Sequence, residues 1–334
     1  MQWILNISVG LLPVLLFLAA LVFLDSYKLL SLLSVIKTLA LGCCMALVAA
    51  LMYALFAGHV GTPMLYVRYV APVIEELLKA AYIIYLIREK KVGFMVDTAI
   101  YGFAIGAGFA FVENIFYMQA LGNSSLVVWV VRGCGTALMH GGTTAIFGIV
   151  AKNTSDRKAS NRVGVFLPAL GLAMVTHSFY NHFFLSPMLY TVVIVAFLPV
   201  GMVLVFRRSE AVTRRWLGMG FDSDVDLLNM ILTGDFKETP VGIYLHSLKN
   251  QFEPEIVADM LCLLRIYTEL TIRAKGILLA RESGLEVAVD AEVKEKLNEM
   301  RYLRKNIGPT GFLALSPFLY STNRDLWQMN LLEA

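Results

Sequence analysis

The stretch "YVAPVIEELLKAAYIIYLI", Tyr69–Ile87, has the length and apolarity of a membrane-crossing helix, yet it carries Glu75, Glu76 and Lys79 inside it. On the insertion scale each such residue near the bilayer centre costs about 2.5–3.5 kcal/mol, whereas each Leu, Ile, Val or Phe returns about 0.3–0.6 kcal/mol. The nine residues of those four apolar types in the stretch therefore offset roughly half of the cost. Something else must stabilise or use these charges. Ionisable groups inside a span are a functional hypothesis by default, so this helix bears on both the fold and the chemistry.

The rest of the chain agrees with a membrane setting. Of 334 residues 58% are hydrophobic and 16% charged, and mean hydropathy is +0.68, whereas soluble domains are about 25% charged. The fold class expected is all-α, a polytopic membrane helix bundle. The net charge of +3 is small, and Lys and Arg sit at the ends of apolar segments and form no basic face, which argues against nucleic acid as a partner. Cys43, Cys44, Cys134 and Cys262 show neither metal-ligand nor disulfide-framework spacing and read as packing. The first segment, "WILNISVGLLPVLLFLAALVFL", lacks a basic start and exceeds a signal-peptide core, so it reads as a retained span.

Using a span length of about 20 residues, seven helices are expected near 3–24, 38–57, 69–87, 94–118, 133–150, 163–185 and 188–206. The segment "LVVWVVRG" before the fifth is apolar but short, an interfacial or re-entrant piece that reaches Arg132. Lys28 and Lys37, then Arg88, Lys90 and Lys91, then Lys152, Arg157, Lys158 and Arg162, then Arg207 and Arg208 fall in alternate connections. Because Lys and Arg in short loops stay cytoplasmic, the N-terminus is expected outside and everything after Arg207 inside, in a plasma membrane.

Residues 1–206 thus form a transmembrane bundle in the lipid bilayer, and 207–334 a cytosolic helical domain. Within the latter, "EPEIVADMLCLLRIYTELTIRAKGILLARESG" has helical periodicity. "DAEVKEKLNEMRYLRKNIG" reads as an amphipathic helix ended by Gly308 and Pro309. Regulation, binding of a regulator and plain bundle support all remain open as its role.

Counting inward from the outer helix ends, Glu75 lies about six residues in, Glu113 and Asn114 about five, and His140 and His177 about seven. At about 1.5 Å per residue these groups share a layer roughly 8–12 Å below the outer surface. Glu75 and Lys79, one turn apart with the acid first, are expected to pair. Glu76, about 100° around the helix, points elsewhere. Gly102, Gly106 and Ala110 form a small-residue stripe that lets another helix approach beside Glu113. Gly141 and Gly142 remove bulk beside His140, and His177 and Asn181 project toward one point.

Taken singly, a Glu–Lys pair in a span can be a structural ion pair, and a lone histidine a hydrogen-bonded core residue. Their shared depth favours a common site. Two imidazoles and a carboxylate are a zinc set with one open position. Without metal, a glutamate in an apolar setting can take a proton from water while an imidazole and an Asn amide stabilise an oxyanion. Either route hydrolyses an amide.

The elements "EELLK" (75–79), "FAFVEN" (109–114), "MHGG" (139–142) and "HSFYN" (177–181), in this order and each on its own span, resemble the four membrane motifs of the PrsW family of intramembrane proteases. They are more distantly similar to those of the CAAX prenyl protease and bacteriocin-immunity group. The resemblance covers residues 65–206. It implies a bacterial membrane endopeptidase whose substrate is a single-pass membrane protein, such as an anti-sigma factor cut near its extracytoplasmic side. It also implies roles. Glu75 is the water-activating glutamate or a ligand, Glu76 its partner and Lys79 the basic element. Glu113, His140 and His177 complete the site, as ligands if zinc is the cofactor, with Asn181 assisting at the oxyanion and Asn114 supporting. The prenyl proteases carry a His where this chain has Glu113, so the choice between metal and glutamate mechanisms stays open. The alternatives are a proton-coupled transporter, which needs a polar path to both faces, and a non-catalytic scaffold acting through residues 207–334.

Overall fold

The computed structural model describes residues 2–59, 61–121, 124–158, 160, 162–285, 287, 290–319 and 323–333. Among the described residues all regular structure is helical and no strand occurs. The chain divides into two compact units, Met1–Ser209 and Glu210–Ala334.

The first unit contains α1 (Gln2–Phe23), α2 (Leu32–Phe56), α3 (Ala71–Arg88), α4 (Met95–Leu121), α5 (Ala137–Lys158) and α6 (Leu167–His182), together with the beginning of α7 (Pro187–Thr233). α4 is its axis. Every residue from Val96 to Ala110 is buried, which matches a sequence that, Asp97 apart, is mostly apolar or small on all sides. Gly102 and Gly106 bring α5 against α4. A Cβ on Gly106 would collide with the His140 carbonyl oxygen, and one on Gly102 would stand 2.5 Å from that of Thr144. Backbone contact this close leaves no room for a side chain, and it sets His140 beside Phe109 and Glu113 of α4. By contrast α1 and α2 expose Leu12, Leu16, Leu33, Ile36, Leu47 and Leu51, as helices facing hydrocarbon do.

Among the described residues five helical segments are long and apolar enough to cross a membrane: Ile4–Phe23, Leu32–Phe56, Met95–Leu121, Leu126–Lys158 and Pro187–Thr233. Helices also form at the two other expected positions, but α3 carries Glu75, Glu76, Lys79 and Arg88, and α6 is only 16 residues long. The two helices that fall short on hydropathy or length are the ones that bring Glu75, Glu76 and His177.

The second unit contains α8 (Pro240–Leu248), α9 (Pro254–Glu282), α10 (Ala291–Leu319) and α11 (Asn323–Glu333). Leu245, Met260, Leu264, Leu270, Ile277, Leu297 and Leu315 bury together as its core. α10 is broken at Gly308, whose φ of 68° no helix contains, and helix resumes from Pro309. The stop expected at Gly308–Pro309 is thus an interruption. Asp290 caps α10 by accepting from the Val293 N–H at 3.0 Å, and it also pairs with Arg273 of α9.

Candidate active site

The site is built where α3, α4, α5 and α6 meet, and two local distortions help to aim it. α3 is entered through a π-helical turn, Tyr66–Val70, and α5 through another, Val131–Thr136. Each widens the turn by about one residue and rotates the helix beyond it, a device found often at functional sites. The first is held from α6: the Ser178 hydroxyl donates to the Arg68 carbonyl at 2.6 Å, and the Asn181 amide to the Val67 carbonyl at 2.9 Å. His182 also joins this seam, its Nε2 standing 3.1 Å from the Tyr69 hydroxyl.

Below that seam Glu75 Oε2 stands 3.9 Å from His140 Nδ1 and 3.9 Å from His177 Nε2. One ligand atom from each of Glu75, His140 and His177 lies within 4.8 Å of the others. The two imidazoles meet edge to face, with ring centroids 4.8 Å apart. Each has its far nitrogen held by a second carboxylate: His177 Nδ1 donates to Glu76 Oε1 at 2.8 Å, and His140 Nε2 faces Glu113 Oε2 at 2.9 Å. A carboxylate behind the imidazole fixes tautomer and ring orientation, as outer partners do for metal-ligating histidines.

Cations complete the arrangement. Lys79, fully buried, donates to Glu76 Oε1 at 2.5 Å and to His140 Nδ1 at 3.2 Å, with its Nζ 4.7 Å from the Phe109 ring centre. An ammonium has only donors, so His140 Nδ1 is the acceptor and the ring hydrogen sits on Nε2, the nitrogen beside Glu113. Arg132 Nε donates to Asn114 Oδ1 at 2.8 Å, its Nη2 lies 3.3 Å from Glu113 Oε1, and its guanidinium covers the Tyr117 ring. Glu76 and Lys79 are sealed, whereas the Glu75 and Glu113 side chains are 17% and 27% exposed.

Several sequence expectations are revised. Lys79 pairs with Glu76, three residues before it, and not with Glu75, because Glu75 is turned toward both imidazoles. Glu76 does not point away, since the near and far nitrogens of His177 between them reach both glutamates. The carboxylate that converges with the two histidines is Glu75, whereas Glu113, expected in that place, lies behind His140. Asn181 is committed to the Val67 carbonyl and does not enter the site. Asn114 is a brace, donating to the Gly10 carbonyl at 2.7 Å and accepting from Arg132. Gly141 makes room for the Phe103 ring and Gly142 for Leu198, so neither serves the imidazole. Arg132 is a site residue that the sequence presents only as the end of a short segment. The signal that marks it is a lone arginine in a connection otherwise poor in basic residues.

The residues present fit a divalent cation. The donors are two imidazole nitrogens and a carboxylate oxygen, the Glu75 Oε2 atom is buried and accepts no hydrogen bond from the described residues, and three carboxylates face only two cations. A zinc site of this type has three protein ligands and one open position. Among families of known proteins, the PrsW family intramembrane metalloprotease profile matches residues 31–206. No curated protein and no solved structure matches the chain.

Proposed function

The chain belongs to the PrsW family of intramembrane metalloproteases, and from that premise we propose that it hydrolyses a peptide bond of a single-pass membrane protein near the extracytoplasmic side, with first-site cleavage of an anti-sigma factor as the reaction. The observation that carries the reading is the convergence of Glu75 with His140 and His177, each ring backed by its own second carboxylate. In this reading Glu75, His140 and His177 hold zinc. When bound, zinc lowers the pKa of water and polarises a carbonyl. Glu76 and Glu113 keep both rings in the ligating tautomer. Arg132, held by Asn114 and stacked on Tyr117, keeps Glu113 in place.

The topology proposed with it has seven spans, α3 and α6 included, in a bacterial plasma membrane with the N-terminus outside. Residues 207–334 are then cytoplasmic and are proposed to bind a regulator. The alternation of basic connections supports this orientation, and it would put the site in the outer half of the membrane, where the substrate would be cut. A transporter reading needs titratable groups along a path to both faces. Asp97, at the other end of α4, is engaged in capping that helix, accepting from the Gly93 and Phe94 N–H groups at 2.7 and 3.0 Å.

A second reading, a metal-free glutamate hydrolase, is favoured by one contact: Lys79 occupies His140 Nδ1. Glu75 Oε2 would then be the base that takes a proton from water. The test of proteolysis compares membrane-protein N-termini in cells expressing the wild type or Glu75→Gln, a swap that keeps size and removes the base or ligand. New N-termini in the outer half of single-pass proteins, present only with the wild type, are expected. Identical profiles with a stable, correctly inserted variant would move the assignment to a scaffold.

A further inference from the structure

His140 Nδ1 has a single in-plane lone pair, and in this structure the Lys79 ammonium donates to it at 3.2 Å. The other ring nitrogen is engaged with Glu113 at 2.9 Å, so the ring has no second acceptor to offer. A lone pair that accepts a hydrogen bond cannot bind a metal at the same time. We infer that Lys79 and the metal ion are mutually exclusive partners of His140 Nδ1, so that the lysine acts as a built-in competitor that sets the site's metal affinity. The inference rests on the metal reading given above and extends it to a residue that ligates nothing.

Three observations make Lys79 suited to this part. Its Nζ is fully buried, so no bulk water substitutes for the contact. The Phe109 ring, 4.7 Å from the ammonium, and the Glu76 carboxylate at 2.5 Å hold it from other directions. A lysine released by His140 therefore keeps its main partner and need not leave the pocket. Glu76 also holds His177 Nδ1, so the carboxylate that stores the competing cation is the one that orients the second imidazole ligand. Lys79 is thus a positioning residue: it holds His140 in the ligating tautomer while no metal is bound and gives up the nitrogen when one arrives.

The experiment is a zinc titration of purified, detergent-solubilised full-length protein against a chromophoric chelator, which reads binding independently of proteolysis. It compares the wild type, Lys79→Met, Glu76→Gln, the double variant Glu76→Gln/Lys79→Met and Glu75→Gln. Lys79→Met removes the competitor but leaves Glu76 without its cation, which by itself attracts zinc and can impair folding. The double variant removes both charges of the pair, leaves the net charge of the site unchanged and keeps an oxygen acceptor for His177. If the lysine competes at Nδ1, the double variant binds zinc about tenfold or more tightly than Glu76→Gln, which has lost the same carboxylate behind His177, the range expected for losing a hydrogen bond to a charged donor. Equal or weaker affinity in the double variant than in Glu76→Gln, with Glu75→Gln binding much more weakly than the wild type, would overturn the inference and leave the metal site standing. Failure of the wild type and both lysine variants to bind zinc would overturn the metal reading and this inference together.

Discussion

At the scale of single residues, the consequential fact is that Glu76 and Lys79 are sealed while Glu75 is left partly open. Removing one partner of a buried ion pair strands the other and costs about 3–5 kcal/mol, whereas removing both is often close to neutral. Glu76→Ala is therefore expected to lower the thermal unfolding midpoint in detergent sharply, and Glu75→Gln to leave it nearly unchanged while abolishing cleavage. Equal midpoints for Glu76→Ala and the wild type would contradict the pairing. The same contrast explains what could be read from sequence. Glu75, Glu76, Glu113, His140 and His177 are anomalies in apolar runs, so the cost of burying them announced them. Arg132 sits at the end of a short apolar segment, where an arginine is ordinary because its long side chain can reach the interface. Asn181 shares a helix face with His177, but spacing says nothing of the Val67 carbonyl that claims its amide.

At the scale of helices, what aims these groups is backbone proximity. The α4–α5 seam has no room for a Cβ at Gly106, where the blocking atoms are the His140 carbonyl and the Gly141 Cα, backbone atoms that cannot swing aside. Gly106→Ala is expected to push α5 outward and misplace His140, lowering activity by about tenfold or more if a shift near 1 Å results. Gly171→Ala is the matched control: it lies within α6, its Cβ meets nothing within 4 Å, and alanine is the better helix former. Proteolysis of a substrate identified by the N-terminus comparison, with insertion checked by protease protection, reads the difference, and comparable activity of the two variants would sink the argument. The small-residue stripe was legible because its four-residue spacing is the helix repeat. The π-helical turns at Tyr66–Val70 and Val131–Thr136 were not, since an inserted residue leaves no mark on composition, and with them went the angle at which Glu75 and Glu76 face their partners.

At the scale of the whole molecule, the chain separates into units with unlike ways of holding together. The first wraps a buried small-residue helix with apolar faces turned outward, while Glu210–Ala334 gathers Leu245, Met260, Leu264, Leu270, Ile277 and Leu315 into a core of its own. A core drawn from within one unit implies that residues 210–334, produced alone in water, fold into a helical domain with a cooperative thermal transition. Its acid response is tied to Asp290. The Val293 N–H, and after it the Arg273 side chain, hold that carboxyl below the usual aspartate range. A group whose folded pKa is depressed stabilises the fold above its unfolded value and loses that contribution as pH falls through the folded one. Asn at this position keeps an oxygen that can cap α10 but has no charge to titrate. The wild-type fragment should therefore melt above Asp290→Asn at pH 7, with the gap closing below about pH 4, where free aspartate protonates. Circular dichroism melts of both fragments across that range read it directly. A gap that persists unchanged at low pH would show that the carboxylate charge contributes nothing, and a broad, non-cooperative transition would show that the unit depends on the rest of the chain to fold.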